Sequence, residues 1–560
     1  MTAQHASPAR WLGVGAAAVM LAGSSGLVSP AVAVSSGGVT ACVDGAGCHS
    51  TLSAALSAAG PGAVVRLSAG VFTGGVTIVR PVTLIGTGAG RTVIAGGGPV
   101  ITVEPTAEAT RVVGVTITGG VTHGDGVEAF GGGVLVRAGS GDAPGASLTL
   151  SRSVVKGNRT EPTRTSPSPS GVRCPESDCP YAGSFGAGIA TRGDLTLDRV
   201  RISDNLAGGA ASDADGAGVW ARGGDVVVRR SSVVRNDAVP REIGRFAEGA
   251  GLFVEGGSLD VDRSDVSHNR ADLQTRWPVL GQGELIEMGA HAGGIHVGGG
   301  AAGTLITRSR INHNVVRTVD PVGEPLAFDA ALLSHLTPLT MRDTEISHNR
   351  VISEVATTDD ILPVGSVVEI NAGGTVSDTR ITDNSVTIHS VDGSAVGSSG
   401  LAVYDFVGNA DPVDLTRVVV SGNRVRASST HGSAGVLGVG IFNNTVLRAR
   451  SSTVRNNTGT ARAPVTMAQG GGIWNGAFLS GPPVDLALTS SRVVHNSVAA
   501  TDASSAQGGG IYNAGTVTLA RSQVAHNRPD DCFACDPSAP GPSAGRAARP
   551  GPTHDPLRWR

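Results

Sequence analysis

The chain has 560 residues, a formal net charge of −3 and six cysteines. A charge this close to neutral excludes a strongly basic nucleic-acid binder and an acidic halophilic surface, so we expect no nucleic-acid partner. Charged residues make up only 16% of the chain whereas 82 residues are glycine, which suits a repeat protein with many turns.

The first 33 residues have the pattern of a secretory signal peptide. Arg10 precedes an apolar run over residues 11–23, and Ala31-Val32-Ala33 provides a cleavage site after Ala33. The run is too short to span a bilayer, and no later stretch is long and apolar enough to do so. The sequence therefore predicts an exported, extracellular protein without a transmembrane segment after signal removal.

The cysteines fall into three local pairs, and an even number in an exported chain predicts disulfide bonds whose connectivity the sequence leaves open. The last pair has the CxxC spacing of some redox and zinc sites. Because no second such motif and no suitable histidine pair accompany it, we expect a structural or end-capping role. The pairs are Cys42 with Cys48, Cys174 with Cys179, and Cys532 with Cys535.

A short amphipathic helix is predicted just before the repeats. Leu52, Ala55, Leu56 and Ala59 follow the i, i+3, i+4, i+7 spacing of one helical face. Ser50 is the expected N-cap, and residues 60–61, Gly-Pro, end the helix. Such a helix is well placed to cover the open end of a stack of strands.

Most of the remaining chain consists of loose copies of residues 508–527, GGGIYNAGTVTLARSQVAHN. Each copy has a glycine run, an Ile-aromatic-Asn segment, an alternating segment and a closing Ser-x-Val-x-x-Asn. A fixed motif at a variable interval of roughly 31 to 47 residues predicts a solenoid with insertions. The closing asparagines are Asn158, Asn205, Asn236, Asn269, Asn314, Asn349, Asn384, Asn423, Asn457, Asn496 and Asn527.

Within one copy, Ile511, Val517, Leu519 and Val524 can all face inward, which is the period-two alternation of short strands. One copy cannot bury its own apolar face, so successive copies must stack about 4.8 Å apart. Asparagine tolerates left-handed geometry at a turn, and its amide can bond to the asparagine above and below. The glycine run fits a tight corner or a close approach of backbones.

The repeated GGGIYN and SxVxxN segments resemble the right-handed parallel β-helix proteins of the pectin-lyase-like superfamily, most of all secreted bacterial members without an assigned function. The resemblance covers roughly residues 50–530 and implies an all-β, right-handed parallel β-helix solenoid with a short N-terminal capping helix. We divide the chain into a signal peptide (1–33), an N-terminal cap (34–62), the β-helix (63–530) and a Cys pair with a disordered C-terminal tail (531–560).

Length varies between the closing asparagine of one copy and the glycine run of the next, so the insertions should emerge along one edge of the solenoid. Loops collected on one edge often form a binding face. The alternative is neutral drift at a corner that tolerates insertion. The insertions are 159–185, 206–215, 237–248, 270–292, 315–329 and 350–370.

A column of mostly aromatic residues follows the inward residue of each glycine strand. These side chains should point outward, and rings at about 4.8 Å spacing would suit the apolar faces of an extended sugar chain. The alternative is that the rings pack on one another or under the loops. The predicted substrate-binding residues are Trp220, Phe253, His296, Tyr404, Phe442, Trp474 and Tyr512.

Asp215, Glu248 and His291 occupy equivalent places in three consecutive copies, and stacking would bring them together. Asp213, Glu255, Glu284, Glu287 and His296 could approach the same place. Two carboxylates one coil apart could act as acid and nucleophile of a retaining glycosidase, or bind calcium. The alternative is a set of solvated residues at the loop bases. For a lyase of this fold, the resemblance implies a calcium-carboxylate cluster with an arginine or lysine base. This sequence contains no complete lyase or polygalacturonase motif.

The sequence favours an exported protein that binds an extracellular or cell-surface polysaccharide, or another surface component. The alternatives are a polysaccharide lyase or glycoside hydrolase centred on the three residues above, and a structural spacer. A further column, His268, His313 and His348, could bind a metal or titrate together, although an exposed turn explains it as well.

Overall fold

The computed structural model describes residues 38–124, 128–139, 145–163, 182–209, 211, 213–240, 246–274, 289–320, 326–355, 364–404, 411–477 and 484–535. The chain divides into two units, Met1–Gly38 and Val39–Arg560, and nearly all described residues belong to the second. The predicted signal peptide, the pair Cys174 and Cys179, Glu284, Glu287 and the predicted C-terminal tail from residue 536 lie outside the described residues.

The second unit is a right-handed parallel β-helix, so the solenoid that the repeat predicted and the fold that the resemblance implied are both confirmed. Within the described residues, strands from successive coils pair in parallel to form six sheets. The coils between residues 110 and 513 visit sheets 1, 2 and 3 in turn, then sheet 4 or 5, and then sheet 6. The two coils before them and the last coil pass from sheet 2 to sheet 6. A single apolar core extends through the stack from Ala41 to Ile511.

Sheets 1 and 2 carry the alternating segment and the start of the Ser-x-Val-x-x-Asn segment. Sheet 1 comprises Gly47–His49, Ala41–Val43, Ala63–Leu67, Val82–Ile85, Thr110–Val113, Leu148–Ser151, Leu195–Asp198, Val226–Arg229, Ser258–Asp262, Gly303–Thr307, Leu339–Arg342, Gly374–Ser377, Val413–Thr416, Val446–Arg450, Asp485–Thr489 and Thr516–Ala520. Sheet 2 comprises Gly70–Thr73, Thr92–Ala95, Thr116–Thr118, Val154–Lys156, Arg201–Ser203, Ser232–Val234, Asp265–Ser267, Arg310–Asn312, Glu345–Ser347, Arg380–Thr382, Val419–Ser421, Thr453–Arg455, Arg492–Val494 and Gln523–Ala525.

Sheets 3, 4 and 5 flank the predicted insertions, whose described ends are therefore strands rather than loops. Sheet 3 comprises Val121–Thr122, Arg159–Thr160, Leu206–Gly209, Asp237–Pro240, Arg270–Gln274, Val315–Asp320, Arg350–Val355, Ser385–Ser390, Arg424–Ser429, Thr458–Arg462 and Ser497–Ala500. Sheet 4 comprises Glu128–Phe130, Gly183–Phe185, Asp213–Asp215, Phe246–Glu248, Gly289–His291 and Leu326–Phe328. Sheet 5 comprises Val364–Gly365, Ala395–Gly397, Ser433–Leu437, Val465–Gln469 and Ala506–Gln507, the last preceded by a 3₁₀ turn at Ala503–Ser505.

Sheet 6 contains the Ile-aromatic-Asn segments. It comprises Val76–Ile78, Ile101–Val103, Val134–Val136, Ile189–Thr191, Val219–Arg222, Leu252–Glu255, Ile295–Gly298, Leu332–Ser334, Val368–Ile370, Leu401–Val403, Ile441–Asn443, Ile473–Asn475, Ile511–Asn513 and Cys532–Phe533. The last strand pairs with Ile511 and Tyr512, so the final cysteine pair belongs to the stack and lies beyond the predicted end of the β-helix at residue 530.

The N-terminal end of the stack is covered by a hairpin and a helix. Ala41–Val43 pairs in antiparallel fashion with Gly47–His49 and with Ala63–Leu67, and a disulfide joins Cys42 to Cys48. The single α-helix in the described part of the chain, α1 at Leu52–Ala58, buries the predicted apolar face. Its N-cap is Thr51 rather than Ser50, because the Thr51 hydroxyl accepts the Ala54 N–H at 3.2 Å.

The closing asparagines form an unbroken hydrogen-bonded ladder between sheets 2 and 3, as predicted. From Asn158 to Asn496, each Nδ2 donates to the Oδ1 of the next asparagine at 2.9–3.0 Å, and all eleven side chains are buried. Asp531 ends the ladder by accepting from both Nδ2 and N of Asn527. The proposal that these asparagines take the left-handed conformation is wrong, because the residue before each one does so, for example His313 with φ 57°.

Substituting one asparagine in the middle of the ladder should destabilise the β-helix. In Asn314→Ala, the backbone N–H and the Nδ2 group of Asn269 lose their acceptor. Asn349 Oδ1 loses the Asn314 Nδ2 donor and keeps the bond from the backbone N–H of residue 314. Because buried polar groups without hydrogen-bond partners destabilise the folded state, we expect the free energy of unfolding to fall by about 3 kcal/mol, measured by urea denaturation. Asn312→Ala is the control. It removes one half-exposed acceptor and should cost less than about 1 kcal/mol.

Candidate functional site

The first candidate site lies at the corner where sheet 4 or 5 turns into sheet 6. The first residue of each glycine run makes this turn in the left-handed region, with φ of 54° at Gly216 and 51° at Gly249. A Cβ added to Gly216 would lie 2.8 Å from the Cβ of Trp220, so the corner folds back on the residue after the inward Val219. The outer faces of the two sheets therefore face each other across a concave corner.

The predicted aromatic column lies inside this concave corner rather than on an open surface. Trp220 and Trp474 are only 4% and 6% exposed, and Phe442 is completely buried. Phe130 and Phe185 of sheet 4 pack against Trp220, with ring centroids 5.3 and 5.5 Å away. The expectation of an exposed ladder for sugar stacking is therefore wrong, since sheets 4 and 5 cover the rings.

One residue of the predicted aromatic column, Tyr404, does not occupy the column position. Strand pairing aligns Phe442 with Ala402, not with Tyr404, which follows the end of the strand Leu401–Val403. Tyr404 is nevertheless buried in the same corner, 5.2 Å from the Phe442 ring. From there the rings of Phe442, Trp474, Tyr512 and Phe533 continue as a stack with centroid distances of 4.5, 6.5 and 5.2 Å.

The predicted trio is brought together by strand pairing in sheet 4. Asp215 lies opposite Glu248, and Glu248 lies opposite His291, each one strand apart. The residue before each carboxylate in its strand, Ala214 or Ala247, lies in the apolar core. Because side chains alternate along a strand, Asp215 and Glu248 point to the opposite side, into the concave corner. Asp215 is only 8% exposed, and its Oδ1 atom has no hydrogen-bond partner.

Sheet 6 contributes further ionisable side chains to the same place. His296 Nδ1 lies 3.6 Å from Glu248 Oε2, and the His296 ring meets Phe253 edge-on at 4.8 Å. Glu255 forms an ion pair with Arg222 at 3.1 Å at the more exposed side of the cluster. His296 and Phe253 thus belong to this cluster and its wall, and they do not form part of an outward sugar platform.

Burial changes the protonation of every member of the trio. Burial, followed by the charges of Asp213 and Glu255, raises the pKa of Glu248 to about 8. Burial and then Glu248 raise the pKa of Asp215 well above its usual value. Burial and then His335 lower the pKa of His291 to about 4. At neutral pH Asp215 and Glu248 therefore favour the protonated form, beside a neutral His291.

The ionisable zone extends two coils further, into residues that the sequence pattern did not single out. The Ser366 hydroxyl donates to Asp329 Oδ1 and to Glu369 Oε2, the latter at 3.3 Å. Burial and then Glu369 raise the pKa of Asp329 well above its usual value. Asp329 occupies the position of the corner glycine, with φ 59°. The incomplete glycine run of this coil was therefore the sequence feature that could have pointed to these residues.

The described residues contain no group of three or more His, Cys, Asp or Glu side chains arranged to hold a metal ion. This applies to the ionisable corner, where calcium was one expectation, and to the histidine column. In that column the rings of His268, His313 and His348 stack at 4.7 and 4.9 Å on exposed left-handed turns. Burial, followed by the two neighbouring rings, lowers the pKa of His313.

The second candidate site is an open groove of about 500 Å³ over the outer face of sheet 2, which we call the outer groove. It crosses five consecutive coils, from Arg152 to Arg310, a distance of about 19 Å along the stack. Val154, Ser232 and Asp265 form part of its floor. None of its lining residues belonged to a predicted site, although the recurring Arg-Ser dipeptide, as at residues 263–264, was a visible signal.

Comparison with known proteins found no matching family model, no similar curated protein and no similar solved structure. In the described part of the chain, no helix has the length and apolar character needed to cross a membrane. The sulfur atoms of Cys532 and Cys535 lie at bonding distance, with a Cα–Cα separation of 5.8 Å.

Removing the buried carboxyl of Glu248 should make the protein more resistant to alkaline pH. The folded-state pKa lies above the unfolded value of 4.5, so the stability associated with the bound proton is lost as pH rises through about 8. Glu248→Gln keeps the shape and cannot ionise. We expect the melting temperature of the wild type to fall more than that of the variant between pH 6 and pH 9.

The exposed Glu345 in sheet 2 provides the control. Glu345→Gln should leave the difference between pH 6 and pH 9 as it is in the wild type. Equal pH dependence of Glu248→Gln and the wild type would contradict a protonated Glu248 in the folded protein.

Proposed function

We propose that this chain is an exported β-helix protein that binds extracellular polysaccharide along the outer groove. Export is supported by Arg10, the apolar run at 11–23 and the cleavage pattern at 31–33, together with the disulfide between Cys42 and Cys48. A relationship to the pectin-lyase-like superfamily is part of the proposal, and the parallel coils with their asparagine ladder support it.

The observation that carries the binding proposal is the outer groove itself. It is open to solvent, lined by polar side chains and aligned across five equal coils. Adjacent coils present equivalent side chains at intervals of about 4.8 Å, which is close to the rise of one sugar in an extended chain. A polymer lying parallel to the stack can therefore make the same contact on each coil, and weak contacts add up along the chain.

The geometry supports binding better than catalysis. The catalytic alternative, a glycoside hydrolase or lyase at Asp215, Glu248 and His291, draws support from their adjacency. A retaining hydrolase also needs an ionised nucleophile beside a protonated acid. Here the pKa values of Asp215 and Glu248 are both raised, and side chains from sheets 4 and 6 fill the corner. The third alternative, a structural spacer, would account for the stacked coils but would not require the outer groove.

A bulky side chain in the floor of the outer groove should block polysaccharide binding. Ser232 is the first residue of its strand in sheet 2 and lines the groove. Ser232→Trp should weaken binding to any retained polysaccharide by about tenfold or more, measured by affinity electrophoresis against a panel of neutral and acidic polymers. Thr453→Trp places the same side chain at the equivalent strand position outside the groove and should have no effect.

The same panel separates the alternatives when reducing ends and unsaturated products are followed with and without calcium. Formation of product by the wild type but not by Glu248→Gln would favour the catalytic alternative over binding alone. Retention that is equal in the wild type and in Ser232→Trp would contradict the outer groove as the contact surface. Retention of no polymer by the wild type would contradict polysaccharide binding and leave the structural spacer.

A further inference from the structure

An arginine column runs along the outer groove at the turn from sheet 1 to sheet 2. It consists of the residue two positions before the sheet 2 strand in five consecutive coils, and a buried serine or valine separates each of these residues from the strand. All five take the left-handed backbone conformation, with φ between 46° and 54°. The members of the arginine column are Arg152, Arg199, Arg230, Arg263 and Arg308.

The backbone does not explain arginine at these turns. A left-handed turn favours glycine or asparagine, and an arginine there costs on the order of 1 kcal/mol. In the later coils the same turn is made by Asp343, Asp378, Arg417, Ser451, Ser490 and Arg521, so the turn accepts several residue types. The side chains of Arg199, Arg263 and Arg308 remain more than half exposed. Their guanidinium groups therefore face solvent, and the apolar core does not require them.

Two aspartates on sheet 1 neutralise part of the column. Asp198 Oδ1 accepts from Arg230 Nε at 2.9 Å, and its other oxygen lies 3.6 Å from Arg199. Asp262 Oδ1 accepts from Arg308 Nε at 2.8 Å, and its other oxygen lies 3.9 Å from Arg263. Each aspartate is thus shared by two arginines of successive coils, which holds the column in line and leaves it positive.

The outer groove as a whole carries a surplus of positive charge. Arg201 and Arg310 on sheet 2 join the column, and Asp265 is the carboxylate among the lining residues. Seven arginines therefore face three carboxylates, counting the two shared aspartates, which leaves a surplus of four positive charges. The whole chain has a net charge of −3, so this concentration of arginine is local.

The chemistry of the groove points to a regularly charged anionic partner. Arginine binds carboxylate, sulfate or phosphate oxygens with two parallel N–H donors, and a row of arginines suits a polymer with an anionic group at each repeat. Single-stranded nucleic acid is bound through aromatic rings that stack on bases. The residues lining the outer groove include no aromatic side chain, only arginine, serine, valine and aspartate. This composition favours a glycopolymer over a nucleic acid.

We propose that the outer groove binds an anionic glycopolymer that lies parallel to the stack, with its charged groups paired to the arginine column. This inference rests on the proposed polysaccharide-binding function and specifies the class of polymer and the residues that recognise it. Binding should weaken steeply with salt, because exposed charges are screened within about 10 Å at 0.1 M ionic strength.

The test uses the full mature chain and variants that respect the left-handed turns. Asparagine tolerates this conformation, so Arg152→Asn, Arg199→Asn and Arg263→Asn are combined to remove three charges without adding backbone strain. Arg521→Asn is the matched control, since Arg521 makes the same turn with φ 53° outside the groove. Lysine at the same three positions keeps the charge but loses the paired donors. Circular dichroism and thermal unfolding verify that each variant is folded.

The probes are alginate for carboxylate, dextran sulfate for sulfate, glycerol teichoic acid for phosphate, neutral dextran and a single-stranded oligonucleotide. We expect at least one acidic glycopolymer to bind, about tenfold or more weaker in the triple asparagine variant and unchanged in Arg521→Asn. The lysine variant should fall between the two. Raising NaCl from 50 to 300 mM should reduce binding of the wild type far more than that of the triple asparagine variant.

The outcomes distinguish this inference from the proposed function. Binding of neutral dextran alone, or of an acidic polymer with no loss in the triple asparagine variant, overturns the inference and leaves polysaccharide binding standing. Tighter binding of the oligonucleotide than of any glycopolymer also overturns it. Failure of every polymer to bind the wild type overturns both.

Discussion

The structure depends on hydrogen bonding between identical side chains in adjacent coils. A buried amide must satisfy both its donor and its acceptor: the asparagine of the next coil accepts from its Nδ2, and the asparagine of the preceding coil donates to its Oδ1. Serine hydroxyls add a second row: the backbone N–H groups of Ser231 and Ser264 donate to the hydroxyls of Ser264 and Ser309. Because these rows keep every coil in the same register, residues 31 to 47 positions apart become neighbours, and both candidate sites consist of such neighbours.

The concave corner shows how one backbone conformation decides the environment of many side chains. Left-handed residues at the turn into sheet 6 make the outer faces of two sheets meet. The contents of the corner change along the stack. Phenylalanines and Trp220 come first, the ionisable residues around Glu248 follow, and the stacked rings from Phe442 to Phe533 complete it. Desolvation therefore dominates the pKa values in the middle zone.

Periodicity predicted the neighbours but not the angle between sheets. The asparagine ladder and the adjacency of Asp215 and Glu248 follow from counting residues between equivalent positions, and both predictions are confirmed. The exposure of Trp220 depends on how sharply Gly216 turns the chain, which alternation does not encode. Tyr404 was misplaced by two residues because no glycine run marks its coil clearly. The sequence did not predict the arginine column, because exposed arginines are common and only the register of the stacked coils shows that these ones are aligned.

The ladder also makes the molecule divisible into interchangeable units. Asn314 and Asn349 are consecutive rungs 35 residues apart, and each is bonded in the same way to the coils on either side. Excising residues 315–349 would join two equivalent corners and shorten the stack by one layer, whereas removing a fraction of that length would break the side-chain alternation and the ladder together. Change in length by whole layers is therefore the mode of variation that this architecture tolerates, and a layer added or removed between Arg152 and Arg310 would lengthen or shorten the outer groove by one coil.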